Sequence, residues 1–268
     1  MTSPSISPLG ARAPLAGRRF SFLSNVVFID AVSSTNDLGK SIAEELLADG
    51  TEVPPTVLVS RRQTAGRGRL SRRWVSPADT GLSLSLVLPW PEGPERVRLP
   101  VRLGVILAAG LSRRFGVEVR LKWPNDLLAG RKKLGGILVE ARAGSEGDGY
   151  AVAGIGLNIS TTRTALDAAG LPEATSLTEA GAAPASLGAD AVLVTVLEEL
   201  DAGLSAPPPD LAAAFAVVAA HRIGEEITVD ESGRRTTGAY LGVTGDGFLR
   251  LRTPAGEETV VSGEIASF

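Results

Sequence analysis

The 268-residue chain has no cysteine and a single histidine, His221. The first absence excludes disulfides, cysteine-based metal sites and thioester chemistry. The second argues against a histidine-rich metal centre and against a Ser-His-Asp triad, which needs a dedicated imidazole. No apolar run approaches the roughly 20 residues of a membrane span. The first 20 residues are rich in Ser, Pro, Gly and Arg and lack the apolar segment of a signal peptide, so they read as a loose tail. The net charge of −3 gives the molecule no bulk attraction to polyanions, so an anion site has to be local. These absences lead to the expectation of a cytoplasmic enzyme or binding protein with no membrane contact. The length suits one large domain, or one large and one small, with ample material for a core.

Strands are expected at 26–32, 56–60, 81–89, 119–123, 135–142 and 150–159, each β-branched or alternating between apolar and polar residues. Leu38, Ile42 and Leu46 recur at helical spacing, so a helix is expected over 37–49, capped by Thr35 or Asn36 and closed at Gly50. Further helices are expected at 101–116, 186–203 and 208–221, with 160–185 as loop. After 222 the texture changes to short strands split by Gly, Asp and Pro turns, as in a small β-barrel. The fold class is therefore α+β or α/β, with a mixed sheet in the larger unit. The expected division is 1–24 as a flexible tail, 25–222 as the main domain and 223–268 as the small barrel.

One segment stands out against the acidic background. "RRQTAGRGRL", residues 61–70, carries Arg61, Arg62, Arg67 and Arg69, and the run continues to Arg72 and Arg73 without an acid. Such a run is usually a solvated face. Glycine between the arginines penalises helix and lets backbone approach a ligand closely. That leaves an anion-binding loop or a nucleic-acid patch.

Familiar phosphate motifs fail. "SSTNDLGKS" ends in Gly39-Lys40-Ser41, but Ser34 stands where a P-loop needs its first glycine. It reads instead as a capped helix with Lys40 on the solvent face. Gly154-Ile155-Gly156 and Gly66-Arg67-Gly68 both lack the third glycine of a dinucleotide fingerprint.

What remains is a set of short stretches: "STN" at 34–36, "QTAGRGR" at 63–69, "KWPND" at 122–126, "KLGGILVE" at 133–140 and "GIGLN" at 154–158. Arg67, Arg69, Lys122 and Lys133 are cations; Asn36, Asn125 and Asn158 are neutral amides; Asp126 is an acid beside a Trp-Pro turn. Each cationic segment sits at a strand end or on a glycine-rich loop. Such a set suits two anions brought together, for example a carboxylate and an α-phosphate. At 4 Å their repulsion is roughly 4 kcal/mol at an effective dielectric near 20. Convergent Lys and Arg remove it and stabilise charge growing in the transition state. No Ser, Cys or His nucleophile is required.

In this order, "STN", "GRGR", "KWPND", "RKKLGGILVE" and "GIGLN" resemble the catalytic core of the biotin protein ligases, closely over about 25–160 and more loosely beyond. The related lipoate ligases share the core fold and lack the arginine–glycine loop. The resemblance implies a mixed-sheet catalytic domain of the biotin/lipoate ligase type followed by a small SH3-like barrel. It implies activation of biotin with ATP and Mg²⁺ to biotinyl-5′-AMP, then transfer to a lysine of a biotin carboxyl carrier domain of a carboxylase. By the same resemblance Ser34, Thr35, Asn36 and Gln63 meet biotin. Arg67, Gly68 and Arg69 fold over biotin and its adenylate, and Lys133 sits at the reacting carboxylate and α-phosphate. Arg69, Arg72, Trp74, Lys122, Asn125, Asp126 and Asn158 serve the nucleotide, with Asp126 also facing its Mg²⁺. Residues 64–73 are expected to be mobile without ligand, their arginines held apart by repulsion. With the core starting near residue 25 the chain resembles the monofunctional class, without a helix-turn-helix and without specific DNA binding. "GEI" at 263–265 matches the family, but the arginine often found three residues after that isoleucine is replaced by Phe268. Two rivals stand beside this reading: a lipoate or octanoate ligase or transferase on the same fold, and a non-catalytic nucleic-acid binder using the arginines and Trp74.

Overall fold

The structure is a computed structural model that describes residues 15, 17–70, 72–75, 80–90, 93–144, 148–183 and 187–266. Most of the amino-terminal tail, and Phe268 with the question of its missing arginine, lie outside the described residues.

A seven-stranded sheet forms the larger layer. Its strands are β1 (Asn25–Val32), β2 (Thr56–Gln63), β3 (Gly81–Pro89), β4 (Val119–Lys122), β5 (Asp126–Ala129), β6 (Lys132–Ala143) and β7 (Gly149–Asn158). Their order is β1-β2-β3-β7-β6-β5-β4. Only β1 and β2 run parallel, because α1 (Thr35–Ala48) crosses over between them; every other pair is antiparallel. The sheet is mixed, as expected. Strand β5 was not expected: the "KWPND" turn reverses the chain at once into four residues that pair with β4.

Helix α1 starts two residues earlier than its apolar spacing suggests. Ser34 is the N-cap, extended at φ −152°, and its hydroxyl accepts the Asp37 N–H. Gly39 is buried under the helix, where a Cβ would stand 2.9 Å from Val87 of β3, so its role is close packing and not phosphate binding. Lys40 does not face solvent alone: it reaches Glu140 on β6 at 2.9 Å and Asp37 at 3.1 Å.

Helix α2 (Glu95–Phe115) extends one and a half turns before the expected start and contains Pro100. Buried Arg102 explains why that end holds. It bonds Glu95 within the helix at 2.7 Å and the carbonyls of Gly203 and Ala206 at the end of α4 (Ala189–Ser205). Gly116 ends α2 in the left-handed conformation, as its position suggests. Within the expected loop 160–185 lies a short helix, α3 (Arg163–Ala168), capped by Thr162. Helix α5 (Leu211–Val218) is shorter than expected, because Ala219 and Ala220 leave it to bridge Leu121 on β4.

The described part of the amino-terminal segment is anchored, which corrects the expectation of a loose tail up to residue 24. One Asp201 carboxylate on α4 accepts the backbone N–H groups of Ser21, Phe22 and Leu23 at 2.8, 2.6 and 3.1 Å. Leu15 and Leu23 are buried. The partner is some 180 residues away in sequence, so no local pattern announces it.

The smaller sheet contains β8 (Glu226–Glu231), β9 (Arg234–Val243), β10 (Leu249–Thr253), β11 (Gly256–Val260) and β12 (Glu264–Ile265), all antiparallel in the order β11-β10-β9-β8-β12. Among the described residues β11 and β12 do not pair, so the sheet curls without closing its hydrogen-bond ladder.

Candidate active site

The site begins with two rows of residues across the central strands, small except for Leu138. Ser85 of β3, Gly154 of β7 and Leu138 of β6 stand side by side; two residues along, Ser83, Gly156 and Gly136 do the same. A Cβ at Gly154 would stand 2.3 Å from Asn36 Oδ1, and one at Gly156 would stand 2.3 Å from the Trp74 ring. The glycines of "GIGLN" therefore let Asn36 and Trp74 lie directly on the sheet.

Three consecutive residues at the start of α1 are buried there: Ser34, Thr35 and Asn36. The Thr35 N–H donates to Gln63 Oε1 at 2.8 Å. The Ser85 hydroxyl donates to Asn36 Oδ1 at 2.6 Å and lies 2.7 Å from the Thr35 hydroxyl. Asn36 Nδ2 donates to Leu138 O and to Glu140 Oε2. The result is an ordered cluster of hydroxyls and amides at one end of an apolar floor.

The arginine segment closes as a hairpin. Arg67 bridges Arg73, the Gly68 N–H meets Arg72 O at 2.7 Å, and the Trp74 N–H meets Gly66 O at 2.9 Å. Three of its arginines each have a separate partner. Arg67 reaches Glu140 at 2.5 Å and Asp37 at 2.8 Å. Arg69 donates to Asn125 Oδ1 and Gly263 O, both at 3.0 Å. Arg72 pairs with Glu264 at 2.5 Å. Burial lowers the Arg69 pKa from its ordinary value, while the hydrogen bond that Arg72 donates to Glu264 raises its own. Acids and carbonyls from distant elements hold these arginines in place.

Opposite the loop, Lys133 Nζ lies 2.6 Å from Asp126 Oδ1, across the β5–β6 hairpin. Residues 173–175 strap the start of β6, through Lys133 N–H to Glu173 O and Thr175 N–H to Lys133 O. Asn125 is held by Ile137 O, and Asn158 Nδ2 by Thr175 O. Two buried polar atoms in this wall, Asn158 Oδ1 and Trp74 Nε1, have no partner among the described residues. A buried donor and acceptor left unmatched cost free energy unless a ligand or water satisfies them.

Ser34, Thr35, Asn36, Gln63, Arg67, Gly68, Arg69, Arg72, Trp74, Asn125, Asp126, Lys133 and Asn158 all line one cavity of 280 Å³. Leu84, Ile137, Leu138 and Ile155 supply its apolar floor. Lys122 is the exception among the expected residues. It does not line the cavity; its Nζ sits 3.8 Å from Asp126 and 3.4 Å from Ile265 O, behind the wall. Two acids went unremarked in the sequence, Glu140 and Glu264. Glu140 ends one noticed motif and Glu264 is the middle residue of another, and Glu140 shares a strand face with Gly136 and Leu138 by its period of two. No group of three or more His, Cys, Asp or Glu able to hold a metal occurs among the described residues. Asp126, a cavity carboxylate beside Lys133, fits a Mg²⁺ that arrives on phosphates better than a resident ion, since the other carboxylate lining the cavity, Glu264, is paired with Arg72.

Comparison with known proteins agrees with this geometry. The biotin/lipoate A/B protein ligase family matches residues 28–158, and the biotin protein ligase C-terminal domain matches 223–266. The bifunctional ligase/repressor BirA of Bacillus spizizenii is 34% identical over 137 residues, which are 50% of this chain and 40% of that protein. The chain thus matches less than half of that relative's length. The biotin–[acetyl-CoA-carboxylase] ligase of Paracoccus denitrificans is 29% identical over 78% of this chain and 88% of its own. Among solved structures, a biotin protein ligase from Aquifex aeolicus in complex with biotin and ATP superposes with a TM-score of 0.70 at 26% identity, covering 91% of this chain and 98% of that one. Motifs, cavity and fold agree, and the chain belongs to the biotin/lipoate A/B protein ligase family, with the C-terminal domain of its biotin protein ligases.

Proposed function

We propose that the chain is an ATP-dependent biotin protein ligase, built from a ligase unit over 25–222 and the smaller sheet domain over 223–268. The observation that carries this reading is the division of one cavity into a neutral amide–hydroxyl end, an apolar floor and a cationic end. The ureido ring of biotin has N–H donors and a carbonyl acceptor, which suit Ser34, Thr35, Asn36 and Gln63; the floor takes its apolar body. The dithiolane of lipoate and the alkyl end of octanoate offer no such groups, so the polar end disfavours that rival. The nucleic-acid reading loses its main support because Arg67, Arg69 and Arg72 line the cavity and are each paired within the chain, with Glu140, Asn125 and Glu264.

In the first step a biotin carboxylate oxygen attacks the α-phosphorus of ATP. The bond to the bridging oxygen breaks and pyrophosphate leaves. Lys133 and Arg69 neutralise the two anions as they approach, and Lys133 stabilises the charge on the α-phosphate oxygens. Arg72, Trp74, Asn125, Asp126 and Asn158 hold the nucleotide, and the unmatched Asn158 Oδ1 suits an amino N–H of a purine. Asp126 would face a Mg²⁺ carried by the phosphates, and the ion when bound would supply charge neutralisation. In the second step a lysine amine of the acceptor attacks the acyl carbonyl and AMP leaves. The acceptor is a biotin carboxyl carrier domain of a carboxylase, in keeping with the name of the Paracoccus relative. Calorimetry tests the reading: biotin binds alone, and lipoate at equal concentration gives no heat. Equal binding of lipoate, or binding of an oligonucleotide instead, would contradict it.

A further inference from the structure

Glu140 uses both carboxylate oxygens on three donors drawn from two other elements. Oε1 accepts from Lys40 of α1 at 2.9 Å; Oε2 accepts from Asn36 of α1 at 2.9 Å and from Arg67 of the hairpin at 2.5 Å. It is a quarter exposed and does not line the cavity. We propose that Glu140 is a positioning residue of the biotin pocket, acting through Asn36 and Arg67. This rests on the reading of the cavity as a biotin site.

The orientation of a side-chain amide is decided by its neighbours. Leu138 O and the Glu140 carboxylate can only accept, so both fix Asn36 Nδ2 on their side and turn Oδ1 toward Ser85 and the cavity. With both N–H groups engaged, Asn36 can meet a ligand only as an acceptor. It then selects an N–H donor, such as a ureido N–H, over a carbonyl or an alkyl group. Without Glu140 a buried N–H loses its charged partner and the flipped amide becomes competitive. The same carboxylate, with Asp37 at 2.8 Å, holds the Arg67 guanidinium against α1. That sets the first half of the hairpin over the end of the cavity that Asn36 lines. The nucleotide end is held by other residues, so the effect is confined to biotin.

The test uses the full chain, with pyrophosphate release for kinetics and calorimetry for biotin. Glu140→Ala should raise the biotin Kd and KM roughly tenfold to a hundredfold, the range for losing a charged hydrogen-bond partner, and leave the ATP KM within about twofold. Glu140→Gln, which keeps volume and one acceptor, should fall between, and serves if the alanine variant does not fold. Glu140→Ala added to the double variant Asn36→Ala/Arg67→Ala should weaken biotin no more than about twofold beyond that double variant alone, as expected for residues acting as a unit. Biotin and ATP constants rising together, or fully additive losses, would mark Glu140 as merely structural and overturn the proposal. Wild-type chain that binds biotin while Glu140→Ala binds it equally well overturns this inference alone. Wild-type chain that binds no biotin overturns the site reading with it.

Discussion

Single residues in the site act through the partners they hold. Asp126 stands between Lys133 and Lys122, so Asp126→Asn removes the anion that aims Lys133 and the carboxylate that would face a phosphate-borne Mg²⁺. Adenylation should fall while calorimetry shows biotin affinity preserved; lost biotin affinity with unchanged adenylation per bound biotin would place Asp126 at the wrong end. Glu140 gives a pH signature. Burial pushes its pKa up, but hydrogen bonds from Asn36 and Lys40 and the Arg67 charge outweigh that and hold it below the ordinary 4.5. A lowered carboxyl stabilises the fold above its unfolded pKa and loses that stabilisation as pH falls through the folded value. Urea unfolding should therefore show Glu140→Gln costing stability at pH 7 and progressively less as pH falls below that ordinary value and through the lowered value of the folded state. A cost independent of pH would count against the charged network. The cations and amides of the site were legible in the sequence because glycine-flanked arginines and "KWPND" are unusual. The acids that hold them were not, because Glu140 and Glu264 look like ordinary strand residues until the sheet brings them to Arg67 and Arg72.

Among elements, β7 does most to shape the site. Its glycines leave the sheet bare beneath Asn36 and Trp74, and Gly156→Ala tests this. The new methyl would overlap the Trp74 ring, an overpacking that typically costs about 1–3 kcal/mol, unless the ring moves off the sheet. The variant should melt lower and show a red-shifted, more quenchable tryptophan emission; unchanged emission and melting would show that the hairpin does not rest on β7. The strand was legible from "YAVAGIGLNI". The reason for its glycines was not, since a close approach between Gly156 and a tryptophan 82 positions earlier has no local signal. For the same reason the early start of α2 was hidden: Pro100 reads as a boundary, and the bonds of Arg102 to the end of α4 hold the turns before it.

At the scale of the whole molecule, the smaller sheet is fastened to the site. Arg69 and Arg72 reach Gly263 and Glu264, Arg98 reaches Asp246 at 2.9 Å, and Trp123 of "KWPND" donates its indole N–H to Gly247 O at 2.9 Å. The change of texture near 223 was legible, but this clamp was not, and it makes the two sheets one cooperative unit. Trp123→Phe should lower a single melting transition, costing on the order of 1 kcal/mol for the buried hydrogen bond. Two separated transitions in calorimetry of the wild type would contradict the coupling. On the proposed function, one cavity joins biotin to the α-phosphate of ATP under the charge of Lys133. The direct measurement is mass spectrometry after incubating the chain with biotin, ATP and Mg²⁺ and no acceptor. The wild type should give biotinyl-5′-AMP, and Lys133→Ala should give it at a rate lower by about 10²–10³, the usual cost of removing one donor to developing charge. A folded wild type that makes no biotinyl-5′-AMP, or a Lys133→Ala variant that makes it at the wild-type rate, would contradict it.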